Sequence, residues 1–154
     1  MAEYGVTDRL TGGTPSADSV NAGYVAANAC DNNATTYWQS ALAACPHWWK
    51  YDFGAGVTWK ISKVTIKGYG SSLSINAFKV QGSNNDSNWD DLHSDNCANN
   101  SDVQTFTFTN RTPYRYFRIY ISSSYDAGGS VAEYEFEAFE GIYKDAAFLL
   151  NMMR

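Results

Sequence analysis

The chain has 154 residues and a formal net charge of -5; 16% of it is aromatic and only 18% charged. That length suits one domain with its own core, and charge this sparse, against roughly 25% in an average soluble domain, suits an all-β protein with a Thr/Ser/Asn-rich surface. An acidic chain without a Lys/Arg cluster is not built to neutralise nucleic-acid phosphates or to dock on anionic lipid, and no run approaches the roughly 18 apolar residues of a membrane span.

Residues 1–19 are small and polar, punctuated by Gly12-Gly13 and Pro15, and predict an irregular lead-in to a domain over 20–141. The opening Met1-Ala2-Glu3-Tyr4-Gly5 lacks the basic and apolar regions of a secretory signal, so the expected routes outward are a leader already removed, or lysis.

The stretch Ala29-Cys30-Asp31-Asn32-Asn33-Ala34-Thr35-Thr36-Tyr37-Trp38 sets an acid, amides and hydroxyls at short intervals. Curled into a tight loop, Asp31, Asn33 and Thr36 turn oxygen atoms toward one point, the ligation that a hard cation such as Ca²⁺ prefers. A shell of about six to eight oxygens needs further donors, and Val131-Ala132-Glu133-Tyr134 is the candidate source. The alternative is an Asx-rich turn ahead of a core Trp.

Strands follow. Residues 47–53 open the series, and 57–67 alternate Val64 and Ile66 against Lys63, Thr65 and Lys67, the period-two pattern of one buried and one wet face. Phe78 and Val80 mark the next strand, 82–88 a hairpin turn, and 89–93 the return strand. Residues 103–109, 114–121 and 131–140 complete the set, and Trp48, Trp49 and Trp89 are read as core. Turn signals every 8–12 residues and no convincing internal helix indicate an antiparallel sandwich. Strict up-and-down order gathers loops 40–47, 68–75, 94–101 and 122–130 at one end and the shorter turns at the other; binding groups usually sit on such loops. The tail 142–154 reads as a short helix that packs back on the sandwich or, through 144–154, docks onto another chain.

Three cysteines leave at least one without an intramolecular partner. Cys45-Pro46-His47 with His93-x-x-x-Cys97 could form a Cys₂His₂ zinc site, a Cys45–Cys97 disulfide asks for less, and free thiols are the third option. Cys30 is expected to be a small buried filler. Of four N-glycosylation sequons, one starts at Asn33; an Asn33 that binds a cation could not carry a glycan, which favours a bacterial or viral source. Glu133, Glu135 and Glu137 alternate on one strand with neighbours roughly 6.5–7 Å apart, a spacing that overlaps the carboxylate pair of inverting glycosidases. A catalytic pair faces across a cleft from different elements, however, and no Ser-His-Asp, Cys-His, phosphate-loop or HExxH arrangement points to another enzyme class.

The pattern Ala29-x-Asp31-x-Asn33-x-x-Thr36-x-Trp38, followed by residues 49–53, Val64-Thr65-Ile66, Phe78-Lys79-Val80-Gln81-Gly82-Ser83, Trp89, Arg115-Tyr116-Phe117-Arg118-Ile119 and Ala132-Glu133-Tyr134-Glu135-Phe136, resembles the discoidin or coagulation factor 5/8 type C family, which includes the family 32 carbohydrate-binding modules. The resemblance covers about residues 20–141. It implies a jelly-roll sandwich of about eight strands with a structural Ca²⁺ held at Ala29, Asp31, Asn33 and Thr36, together with the Ala132 carbonyl and the Glu133 carboxylate. It also implies ligand binding at one loop end, where the candidates are His47, Tyr69, Asn76, His93, Asn96, Tyr125 and Asp126. No Arg lies in these loops, a departure from the galactose-binding pattern.

The function so implied is a non-catalytic, lectin-like module for glycans on a cell or particle surface, acting outside the cell or as a virion component. The alternative is a structural or decoration protein that assembles through protein contacts without sugar. Lipid binding through Ala41-Leu42-Ala43-Ala44 is weighed down by the acidic charge and the lack of neighbouring basic residues.

Overall fold

In the computed structural model, which describes residues 2–144 and residue 153, alternating strands close into two antiparallel sheets. The first contains β1 (Glu3–Tyr4), β3 (Trp38–Gln39), β5 (Ile61–Gly68), β8 (Val103–Thr107) and β10 (Ala132–Ile142), in the order β1-β10-β5-β8 with β3 paired to the start of β10. The second contains β2 (Thr14–Ala17), β4 (His47–Asp52), β6 (Ala77–Ser83), β7 (Asp90–Asn96) and β9 (Tyr116–Ile121), in the order β2-β4-β9-β6-β7. One 3-10 turn, Ala26–Ala29, precedes the Asp31 loop. Among the described residues no helix is long and apolar enough to cross a membrane. The helix expected over 142–154 falls mostly on residues outside those described; β10 itself runs to Ile142.

The period-two pattern fills the core. Trp49 and Tyr51 of β4, Phe78 and Val80 of β6, and Phe117, Ile119 and Ile121 of β9 face Val64 and Ile66 of β5 and Phe136 and Ala138 of β10. Aromatic pairs join the layers: Trp49 meets Phe136 at a ring separation of 4.9 Å, and Phe78 meets Phe106 edge-on at 4.9 Å. Trp38 and Trp49 also anchor the early chain, donating from their indole nitrogens to the carbonyls of Ser19 (3.1 Å) and Ala26 (2.9 Å).

Four expectations change. The lead-in 1–19 is part of the sandwich, since β2 pairs with β4 and β1 with the end of β10. Thr14-Pro15-Ser16-Ala17 has no apolar period to announce a strand, and its Pro is tolerated because β2 is an edge. The return strand extends to Asn96, so Ser94, Asp95 and Asn96 are ladder rather than loop, and His93 lies within the strand as expected. Trp48 and Trp89 are half-buried rather than core, Trp48 alternating outward between His47 and Trp49. Finally, β10 bulges between Glu133 and Glu135, which turns Glu133 into the interior while Glu135 and Glu137 stay on the outer face beside Thr65. The three glutamates therefore do not share a face.

The up-and-down order holds. At one end Trp59 pairs with Tyr114, and Asn84 donates to the Pro113 carbonyl at 3.2 Å. The two outer strands of the chain's course, β1 and the last residues of β10, meet at this same end, where the Tyr143 hydroxyl accepts the Asn110 N–H at 2.8 Å. The four longer loops gather at the opposite end.

Because Phe136 is 1% exposed at the joint between the sheets, Phe136→Ala is expected to lower the unfolding free energy by about 3–5 kcal/mol. Thr105→Ala, on the exposed face of β8, should stay within about 0.5 kcal/mol. Urea titration followed by tryptophan fluorescence measures both.

Candidate functional site

The four loops at the far end from β1 and the close of β10 are stitched by backbone and short side-chain contacts. Ile75 bridges Ser124, Tyr125 donates its N–H to Ser74 O at 3.0 Å, and Asn76 donates to Ser123 O at 2.9 Å. Gly129, with φ of 86°, packs so tightly that a Cβ there would stand 2.6 Å from Ala44 Cα and from Cys45 N; any side chain would push loops 40–46 and 122–131 apart.

At this end Tyr125 stands 40% exposed, its hydroxyl donating to the Cys97 carbonyl at 2.7 Å. Cys97 N–H in turn donates to Asn76 O (2.8 Å), and Asn96 Nδ2 donates to Asn76 Oδ1 at 3.1 Å. Tyr125, Asn76 and Asn96 are thus brought together. Asp126 lies in the same loop, but its Oδ2 accepts the Ser130 N–H at 3.0 Å and shapes the turn. Leu42, 77% exposed, forms the rim on the neighbouring loop.

The other sugar candidates are not assembled with these. His47 is 2% exposed and closed in, with Nδ1 2.8 Å from Asp18 Oδ2 and Nε2 3.0 Å from the Ala43 carbonyl. His93 stacks on Phe108 at 5.3 Å and contacts Asp95, partway along β7. Tyr69 turns to the outer side of the first sheet, stacked on Tyr134 at 5.3 Å and edge-on to Tyr37 at 4.8 Å. The three cysteines are free thiols, Cys45 lying 3.1 Å from the Gly129 carbonyl, so the disulfide reading does not hold. Nor does the structure gather Cys45, His47, His93 and Cys97: among the described residues no three His, Cys, Asp or Glu side chains converge as a metal cluster.

The Asp31 loop closes on itself. Asp31 Oδ1 accepts the Asn33 N–H (2.9 Å), both Asp31 oxygens accept from Thr36 Oγ1 (3.0 and 2.8 Å), and Asn33 Oδ1 accepts from Thr35. Ala29, wholly buried, ends the 3-10 turn just before it. Trp38 and Gln39, immediately after it, pair with Glu133 and Ala132, so the early loop and the last strand meet as expected. Glu133 is 1% exposed; its Oε1 accepts the Ile75 N–H at 2.7 Å while Oε2 has no partner, and burial pushes its carboxyl well above the usual range. The early loop offers amide, hydroxyl and carboxylate oxygens, and Glu133, whose backbone pairs with Trp38 just after that loop, adds an orphaned interior carboxylate oxygen; these donor types are those of a hard cation.

Sequence reasoning set Glu135 in a row with Glu133 and Glu137 and did not place it at the Asp31 loop. Its Oε1 accepts the Asn32 N–H at 3.3 Å, which Asn32 presents from a left-handed backbone with φ of 58°. Burial pushes the Glu135 carboxyl up to about 7, the charges of Asp31, Glu137 and Asp8 adding to the rise and the Asn32 N–H opposing it. A cleft of about 260 Å³ beside it is lined by Asn32, Thr65, Lys67, Glu135 and Glu137. Only the bulge at Tyr134 separates the roles of Glu133 and Glu135, and a bulge has no signature in an otherwise regular alternation.

The F5/8 type C domain profile matches residues 14–136. Among solved structures, the family 32 carbohydrate-binding module of C. perfringens NanJ in complex with galactose is 21% identical, with a TM-score of 0.74 over 91% of this chain and 100% of that one. A second Clostridium perfringens module, in complex with GalNAc-beta-1,3-galactose, is 17% identical with a TM-score of 0.74 over 84% of this chain and 96% of that one. Chitosan-binding module 1 of a chitosanase/glucanase from Paenibacillus sp. IK-5 is 23% identical with a TM-score of 0.72 over 86% and 98%. These likenesses establish the shared fold. No curated protein sequence matches the chain.

The carboxyl of Glu135 sits at about 7 in the fold against an ordinary 4.5, so between these values the folded protein holds a proton that the unfolded chain has released. This contribution to stability is full below about pH 4.5 and is lost as pH rises through 7. In metal-free buffer Glu135→Gln is expected to flatten the decline in melting temperature between pH 4.5 and 7, as followed by thermal denaturation of both proteins.

Proposed function

Since this chain belongs to the F5/8 type C domain family, we propose that it is a non-catalytic carbohydrate-binding module that meets glycans through the loop end and is stabilised by a structural Ca²⁺. The observation that carries the reading is Tyr125 beside the Asn76–Asn96 pair. An aromatic ring buries the C–H face of a sugar while nearby polar groups meet its hydroxyls. The hydrogen bond to Cys97 O holds the ring in advance, which lowers the ordering cost of binding. Asn96 uses its amide nitrogen on Asn76, leaving an acceptor oxygen on Asn96 and donor hydrogens on Asn76 for a ligand. The solved modules of like fold, one bound to galactose and one to GalNAc-beta-1,3-galactose, support sugar as the ligand class. Such a module serves adhesion where glycans are displayed, on a cell or on a particle such as a virion.

Ca²⁺ would be held by Asp31, Asn33, Thr36 and the carbonyls of Ala29 and Ala132, with Glu133 supplying a buried negative charge. When bound it supplies a fixed positive charge and no chemistry of reaction. Asp31 and Thr36 orient the early loop, and Glu133 ties it to β10 through the pairing with Trp38.

A glycan array run with Ca²⁺ tests the function. Binding to a defined glycan class, weakened at least tenfold (about 1.4 kcal/mol) by Tyr125→Ala with the circular dichroism unchanged, is the expected result. A blank array from folded protein overturns the reading and leaves assembly through protein contacts in its place. For the ion, a site filled at 100 times its Kd adds about 2.7 kcal/mol, so Ca²⁺ is expected to raise Tm by roughly 5–10 °C over chelator. Asp31→Asn should erase that rise; an equal rise in the variant would place the ion elsewhere.

A further inference from the structure

The outer face of the second sheet carries a group of side chains that the loop end does not use. Along its central strand β9, Tyr116, Arg118 and Tyr120 point outward while Phe117, Ile119 and Ile121 fill the core. The register sets Lys50 and Gln81 on either side of Arg118, and Trp48 and Lys79 on either side of Tyr120.

The other cations of this face are matched by carboxylates. Lys50 pairs with Asp86 at 2.8 Å, Lys79 with Asp91 at 2.6 Å, and the Arg115 fork takes both oxygens of Asp52 at 2.8 Å each. Arg118 is not. Its Nε donates to Gln81 Oε1 at 2.6 Å, and Gln81 is itself held by its amide donating to Asp91. The guanidinium lies 4.2 Å from the Trp89 ring centroid and 5.3 Å from that of Tyr120. Among the described residues it forms no direct ion pair and only its Nε donates a hydrogen bond, although the charges of Asp86 and Asp91 reach it.

A half-buried guanidinium held between rings, with Nε occupied and both Nη groups open, is preorganised for two parallel hydrogen bonds to a carboxylate. Successive outward side chains on β9 stand about 7 Å apart, so a ring face adjoins the fork within the span of a sugar residue. The net charge of -5 repels a polyanion from the molecule as a whole, and only a local site of this kind would retain one.

We propose that this face is a second glycan-binding surface, specific for an acidic polysaccharide whose carboxylates pair with Arg118 while Trp48 and Tyr120 pack against sugar rings. The glycan class rests on the family reading above, whereas the surface is independent of the loop end.

The test is calorimetric titration of the full chain with an oligogalacturonate and with its methyl ester, in which the same backbone has lost its charge. The acid form is expected to bind, the ester to bind at least tenfold more weakly, and the acid-form affinity to fall as NaCl rises. Arg118→Gln and Arg118→Lys should each cost at least tenfold, the second because a single ammonium lacks the fork. Lys63→Gln, which removes an equal charge from β5 of the other sheet, should leave binding unchanged. Equal binding of the ester, equal losses in Lys63→Gln and Arg118→Gln, no binding of the acid form, or binding of polyglutamate in its place would each overturn the proposal. So would retention in Arg118→Gln with loss in Tyr125→Ala, which would put the acidic sugar at the loop end. A blank neutral-glycan array with Arg118-dependent oligogalacturonate binding would sink the loop-end site alone.

Discussion

Strand β10 is hydrogen-bonded along both edges, to β1 and β3 on one side and β5 on the other, and its bulge at Tyr134 sets which way each residue before it faces. Phe136 and Ala138 must point inward to close the core against Trp49. Under strict alternation Glu133 would then face out with Glu135 and Glu137, and no carboxylate would enter the interior. One extra residue in the strand reverses this for Glu133. The fold tolerates a buried acid there because Ile75 donates to one oxygen and burial favours the neutral form. In the Ca²⁺ site proposed above, the same residue would be ionised. On that proposal the bulge would couple the closure of the sandwich to the early loop.

Much of the architecture could be read from residue order because one-sided burial forces alternation. Val64 and Ile66 against Lys63, Thr65 and Lys67, or Phe117, Ile119 and Ile121 against Tyr116, Arg118 and Tyr120, admit one orientation each. Where a strand lies at an edge this constraint weakens. Thr14–Ala17 and Ser94–Asn96 are polar on both sides and are held by main-chain bonds to β4 and β6, which side-chain patterns do not report. Sorting the loops between two ends followed from connectivity alone, and it located Tyr125, Asn76 and Asn96 correctly as neighbours. It could not distinguish an exposed loop residue from one drawn inside: His47 is enclosed because Asp18 and the Ala43 carbonyl, 29 and 4 residues away, meet its two nitrogens. Trp48 was misplaced for the opposite reason, since three bulky residues in a row hide the phase of the alternation.

The two sheets differ in what they show to solvent. The first presents Glu135, Glu137, Thr65 and Lys67 together with a tyrosine cluster of Tyr24, Tyr37, Tyr69 and Tyr134. The second presents Trp89 and Tyr120 against an arginine, with Trp48 beside Tyr120. Glu135, Glu137, Thr65 and Lys67 of the first face and Trp48, Arg118 and Tyr120 of the second stand on paired strands, whereas the loop end is built from segments that depend on one another through Gly129, Ser74 and Cys97. Substitutions within the loops are thus coupled.

The pairing of Glu3–Tyr4 with Gly141–Ile142 has a further consequence. It brings the first and last strands to the pole opposite Tyr125 and leaves them side by side. The chain enters β1 and leaves β10 there, at the stem of the molecule, and the loops form its crown. Stem and crown lie at opposite poles, so a hold on the paired β1 and β10 ends would leave the loop end facing away from it.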